Sequence, residues 1–90
     1  MRRRLILKIY GDVQGIGFRY QVREFSKKNS INGIVKNETD GTVFICAEGE
    51  EKDLFHLLDY CHNGLRYARV ENIDVRWEKA RGEFISFTIE

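Results

Sequence analysis

Proline is absent from this chain of 90 residues, so turns and breaks have to be read from glycine and asparagine instead. Cysteine is scarce as well. Cys46 and Cys61 share no CxxC or Cys/His ligand spacing, and two thiols without further ligands do not make a metal site. They read as reduced thiols of a cytoplasmic protein, with a disulfide left open because spacing alone does not say whether the two meet. Charge of one sign is missing too: 15 Lys and Arg stand against 14 Asp and Glu, a net charge of +1. That balance supplies no global field to recruit nucleic acid or an anionic membrane, so any anion site must be local. No apolar run approaches the roughly 18 to 20 residues that span a bilayer, and Leu5 to Ile9 is interrupted by Lys8. What remains is ordinary for a globular chain, 42% hydrophobic and 32% charged. The expectation is one compact domain over residues 1–90.

Leu5 to Tyr10 is a β-rich run ending at Gly11, which opens a loop with glycines at Gly11, Gly15 and Gly17. Phe18, Val22 and Phe25 then recur at helical spacing, with Arg23, Glu24, Lys27 and Lys28 on the wet face, so Phe18 to Lys28 is a predicted amphipathic helix. A short strand from Ile34 to Asn37, the turn Glu38-Thr39-Asp40-Gly41 and a strand from Thr42 to Glu48 make a hairpin. Leu54, Leu57, Leu58 and Cys61 mark a second helix, opened by acidic residues and closed near Gly64. Two further strands are expected, Val70 to Trp77 and a short last one from Phe84 to Ile89, where Ile85, Phe87 and Ile89 alternate. The order β-α-β-β-α-β is that of a ferredoxin-like split β-α-β sandwich in the α+β class, an antiparallel sheet with both helices on one face.

That topology makes a functional statement. Strands one and two run parallel with strand three between them, so their C-terminal ends share one edge of the sheet, two strand spacings of about 4.8 Å apart. Arg19 and Asn37 become neighbours. The loop Gln14-Gly15-Ile16-Gly17-Phe18 feeds directly into a helix, where converging backbone N–H groups and the helix dipole favour an anion. Many glycine turns start helices and bind nothing. Arg19, in the first helical turn, works against the dipole, so helix stability does not explain it; a bound phosphate would, because a guanidinium grips two oxygens in a fork. The ordinary alternatives are a surface arginine and, for Asn37, a turn-stabilising amide. The pairing lifts both.

Gly11-Asp12-Val13-Gln14-Gly15-Ile16-Gly17-Phe18-Arg19 and Gly33-Ile34-Val35-Lys36-Asn37-Glu38-Thr39-Asp40-Gly41-Thr42-Val43 resemble the two acylphosphatase signatures, G-x-V-Q-G-V-x-F-R and G-x-V-x-N-x-x-D-G-x-V. The likeness continues through Ala47-Glu48-Gly49, Ala68-Arg69-Val70-Glu71 and Gly82-Glu83-Phe84. It implies a phosphate loop at Gln14, Gly15, Ile16, Gly17 and Phe18, with Arg19 as both phosphate ligand and catalytic residue and Asn37 orienting the water. It also implies a small acyl phosphate as substrate, inorganic phosphate as product and inhibitor, no metal or cofactor, no nucleic-acid or membrane partner, and a cytoplasmic monomer. Departures are Ile16 for a usual valine, Ile34 where an aromatic residue is common, no proline between Asn63 and Ala68, and Asp12 beside the cradle, which is expected to point outward.

An acyl phosphate carries a good leaving group, so positioning and charge stabilisation suffice without a Ser, Cys or His nucleophile. His56 and His62 fall on the second helix, where a solvated or packing role outweighs a catalytic one. A non-catalytic anion-binding module of the same fold is the alternative function. A nucleic-acid-binding sheet ranks last: Phe44, Trp77 and Phe87 offer aromatics, but the charge balance offers no basic face.

Overall fold

The computed structural model describes residues 1–90 as β1 (Arg2–Asp12), α1 (Phe18–Lys28), β2 (Asn32–Asn37), β3 (Val43–Glu50), α2 (Glu51–Asn63), β4 (Arg69–Lys79) and β5 (Phe87–Ile89). The strands form one sheet in the order β4-β1-β3-β2-β5. β3 lies antiparallel between β1 and β2, pairing Ile9 with Val43 on one side and Asn37 with Val43 on the other. The ends of β1 and β2 therefore lie on one edge, as the element order requires.

Alternation along the central strands decides the layers. Leu5, Leu7 and Ile9 of β1, Val35 of β2, and Val43, Ile45 and Ala47 of β3 are buried on one face. Both helices cover that face, α1 over β2 and β5, α2 over β1, β3 and β4. Phe18 and Val22 of α1 and Leu54, Leu57 and Cys61 of α2 complete the core. Each helix thus buries the stripe that its apolar spacing marks out, with hydrophobic burial worth about 1.5 to 3 kcal/mol per large side chain. No helix is long and apolar enough to cross a membrane.

The structure corrects several expectations. The sheet is mixed: β5 pairs parallel with β2, through Gly33 with Phe87, Ile34 with Thr88 and Val35 with Ile89. β1 begins at Arg2 because ladders to β3 and β4 carry its polar start. The last strand begins only at Phe87, and Ile85, which the alternation assigned to it, is 96% exposed on the approach to the sheet. Cys46 and Cys61 are both buried and free. Cys46 pairs opposite Ile6 on the face away from the helices, whereas Cys61 sits in the core, so the sheet separates them. Burial pushes the Cys61 thiol up to about 12, leaving it inert at neutral pH.

Candidate active site

The chain leaves β1 at Asp12 and enters α1 at Phe18 through two glycines in the left-handed region, Gly15 at φ 77° and Gly17 at φ 79°. A side chain at either position would strain that backbone. Gly17 is also the N-cap of α1, where no side chain caps the helix and no acidic residue occupies the first turn. None of the backbone N–H groups from Gln14 to Arg19 finds an acceptor within the protein. The start of α1 is therefore a cluster of free donors at the positive end of a helix dipole. The start of α2 differs, with Glu51 and Asp53 in its first turn.

A second contact fixes the cradle against the sheet. The Gln14 side-chain amide donates to the carbonyls of Glu38 and Thr42, at 2.8 and 2.9 Å, across the turn that joins β2 to β3. That turn is itself rigid: Asp40 accepts from the Thr42 backbone N–H and hydroxyl and pairs with Lys8 at 3.0 Å. Those donors, with the Thr42 hydroxyl foremost, bring the Asp40 carboxyl down to about 2. Asn37 immediately precedes the turn, so Gln14 ties the loop of residues 13–17 and Asn37 into one frame.

Between them is a pocket of about 150 Å³ lined by Val13, Gly15, Gly17, Phe18, Arg19, Tyr20, Asn37 and Ile89. A liquid water occupies roughly 30 Å³, so the space suits a phosphoryl group and a water but not a bulky acyl chain. Arg19 Nη1 donates to the main-chain oxygen of Glu90 at 3.1 Å, and Arg19 pairs with no acidic side chain. Its guanidinium is oriented by the backbone while its charge stays available. Asn37 Oδ1 is buried and accepts no hydrogen bond from the protein. Such an acceptor is costly unless an O–H or N–H donor arrives with the substrates.

Of the residues singled out from the sequence, Gly15, Gly17, Phe18, Arg19 and Asn37 meet in this pocket. Gln14 and Ile16 do not line it with their side chains: the Gln14 amide faces the turn, and Ile16 packs against the core. Asp12 is exposed and does not line the pocket. Val13, Tyr20 and Ile89 were not anticipated. Val13 lies within the first signature and Tyr20 directly follows it, so both were within reach of the sequence, but Ile89 enters only because β5 docks beside β2, which no local pattern announces.

A larger cleft of about 550 Å³ lies between the helices, with Phe25, His56 and Tyr60 on its walls. Its aromatic faces are spent on each other, Phe25 stacking on Tyr60 at 4.3 Å, and its amides bond to Phe25 and Asp59. His56 and His62 are exposed and lie on α2, away from the Arg19 pocket. The sheet face opposite the helices is no aromatic platform either. Trp77 packs against Phe55 of α2 and Phe87 is buried in the core, leaving Phe44 as the one of the three on that face.

The acylphosphatase family model matches residues 5–89. An acylphosphatase of Caldanaerobacter subterraneus subsp. tengcongensis is 38% identical over 99% of both chains, and one of Roseiflexus is 41% identical over 90% of this chain and 87% of its own. The crystal structure of acylphosphatase from Bacillus subtilis superposes with a TM-score of 0.93 at 34% identity, covering 100% of this chain and 99% of that one. Full-length HypF contains a similar region, with a TM-score of 0.85 and 29% identity, but the match spans only 12% of that chain.

Proposed function

The chain belongs to the acylphosphatase family, and from that footing we propose that Arg19, Asn37 and the backbone of residues 14–18 hydrolyse an acyl phosphate to carboxylate and inorganic phosphate. The free N–H groups of the cradle hold the phosphoryl oxygens, and the Arg19 fork neutralises the charge that develops as the acyl oxygen departs. Asn37 Oδ1 accepts one hydrogen of a water and aims its oxygen at phosphorus. A bond forms from the water oxygen to phosphorus and the bond to the acyl oxygen breaks. The carboxylate leaves with the electron pair, and the remaining water proton passes to a phosphoryl oxygen. The acyl group, too large for the pocket, lies outward against Tyr20 and Ile89. Inorganic phosphate fits the same cradle and inhibits. The reading extends to a one-domain monomer that acts in the cytoplasm on a small substrate.

The observation that carries this reading is the unpartnered Asn37 Oδ1 in the same small pocket as Arg19 and the open cradle. A module built only to hold an anion has no work for an acceptor there. The test is turnover of a synthetic aromatic acyl phosphate. Arg19→Ala is expected to lower kcat by about 10² to 10⁵, with the circular dichroism of the fold retained. Arg19→Lys is expected to recover little, because a point charge lacks the fork. An alanine variant with half the wild-type rate would remove Arg19 from the mechanism.

A further inference from the structure

The loop of residues 80–86 lies on the sheet face opposite the helices, yet it delivers the chain to the active site. Glu48 of β3 is 1% exposed and receives this loop. Its Oε2 accepts from Arg4 Nε at 2.7 Å and from the Arg81 backbone N–H at 2.8 Å, and its Oε1 accepts from the Gly82 N–H at 2.9 Å. Arg4 extends the clamp, donating to Glu83 at 2.9 Å and lying 5.2 Å over the Phe84 ring. Beyond the clamp the chain becomes β5, only three residues long and paired parallel with β2. At its end Ile89 lines the catalytic pocket and the Glu90 oxygen holds Arg19 Nη1.

We propose that Glu48 is a positioning residue for Arg19, acting through residues 80–86 and β5. The proposal rests on Arg19 being the phosphate clamp. A three-residue parallel strand has little pairing strength of its own, so where it sits depends on how its ends are held. Phe87 is buried and holds one point. The Ser86 carbonyl accepts from the Gly33 N–H and the Glu90 N–H donates to the Val35 carbonyl, each at 2.9 Å, so backbone bonds tie both ends of β5 to β2. Glu48 holds the loop that leads into them, opposite Asn32 at the start of β2, whereas Asn37 at the far end of β2 lines the site. Five residues of strand separate the two, roughly 17 Å. A carboxylate on that side of the sheet therefore helps set the orientation of a guanidinium it never touches. Displacements of about 1 Å at a reacting centre cost up to about a hundredfold in rate.

The test is a double-mutant cycle on kcat with the same aromatic acyl phosphate, using wild type, Glu48→Gln, Arg19→Ala and the double variant. Whichever way its amide turns, Glu48→Gln sets an NH₂ group against at least one backbone donor, the Gly82 N–H in the milder orientation, and removes the charge that faces Arg4, so the loop is loosened. It should lower kcat roughly tenfold to a hundredfold in the wild-type background and less than about twofold once Arg19 is alanine. An equal loss in both backgrounds, or no loss in either, overturns the proposal. Arg19→Ala with near-normal kcat would instead overturn the clamp reading and the positioning with it. If Glu48→Gln does not fold, Arg4→Met combined with Glu48→Met replaces the buried pair with apolar groups of similar volume, an exchange that often preserves stability. The same loss of effect in the Arg19→Ala background is then required.

Discussion

Residues 13–17 and residues 80–86 are both irregular loops that present backbone N–H groups, but they differ in whether the chain itself supplies the acceptor. In the first loop, left-handed Gly15 and Gly17 shape the backbone, and the N–H groups from Gln14 to Arg19 have no protein acceptor. In the second, the N–H groups of Arg81 and Gly82 are consumed by the buried carboxylate of Glu48. One loop is complete within the chain, and the other, on the proposed function, is completed by its ligand. On that reading the same donor chemistry builds architecture where the chain supplies the charge and a binding site where it withholds it. The two meet at Arg19, which starts the helix that follows the first loop and leans on the main-chain oxygen at the end of the segment that follows the second.

The sharpest way to break the comparison is to remove the internal anion. Glu48→Ala leaves Arg4 buried without its main partner and orphans two backbone donors, so it should cost about 3 to 5 kcal/mol in urea unfolding at neutral pH. The effect depends on pH with a definite sign. Burial opposes the charge on Glu48, but hydrogen bonds from Arg81, Arg4 and Gly82 outweigh it and hold the carboxyl below its ordinary value. A group lowered in the folded state stabilises above its unfolded pKa and loses that contribution as the pH falls through the folded one. The gap between wild type and Glu48→Ala should therefore narrow in acid. A gap that stays constant down to pH 3 would show that the carboxylate's charge does not hold the loop.

A smaller effect sharpens the other side. If the open loop binds a foreign anion and the site contains no titrating base, His56→Gln and His62→Gln should leave kcat unchanged at saturating substrate, and their pH profiles should overlay that of wild type. Neither histidine lies on either loop or lines the Arg19 pocket. A replacement that removed an inflection near pH 6.5 and cut kcat more than about tenfold, equivalent to roughly 1.4 kcal/mol of barrier, would establish general-base catalysis and end the substrate-assisted scheme.

The open loop was legible in the sequence and the complete one was not, for a physical reason. Residues 13–19 are contiguous, their glycines mark the positive φ angles, and α1 spans Phe18–Lys28 as its apolar spacing indicates. Asn37 came within reach because the order β-α-β-β-α-β forces β1 and β2 to end together. Glu48 stood in a recognised motif, but its work is done through backbone donors 33 and 34 residues away, which no periodicity encodes. The alternation of Ile85, Phe87 and Ile89 misled because it runs through residues that are still crossing the sheet edge, so Ile85 faces solvent. The parallel docking of β5 on β2, and with it Ile89 in the pocket, comes with long-range backbone pairing and Phe87 burial, to which the proposed Glu48 clamp adds a contact from the far face of the sheet.

The division of labour within the site is tested most directly by Asn37→Ala, measured two ways on one preparation: kcat with an aromatic acyl phosphate, and competitive inhibition by inorganic phosphate. Asn37 is assigned to the water, and the cradle with Arg19 to the phosphate. The expected result is a kcat lower by about 10² to 10³, the scale of losing one preorganised polar contact in a transition state, with the phosphate inhibition constant changed by less than about threefold. Equal losses in both would contradict the account, because Asn37 would then be shaping the phosphate cradle and holding no water of its own.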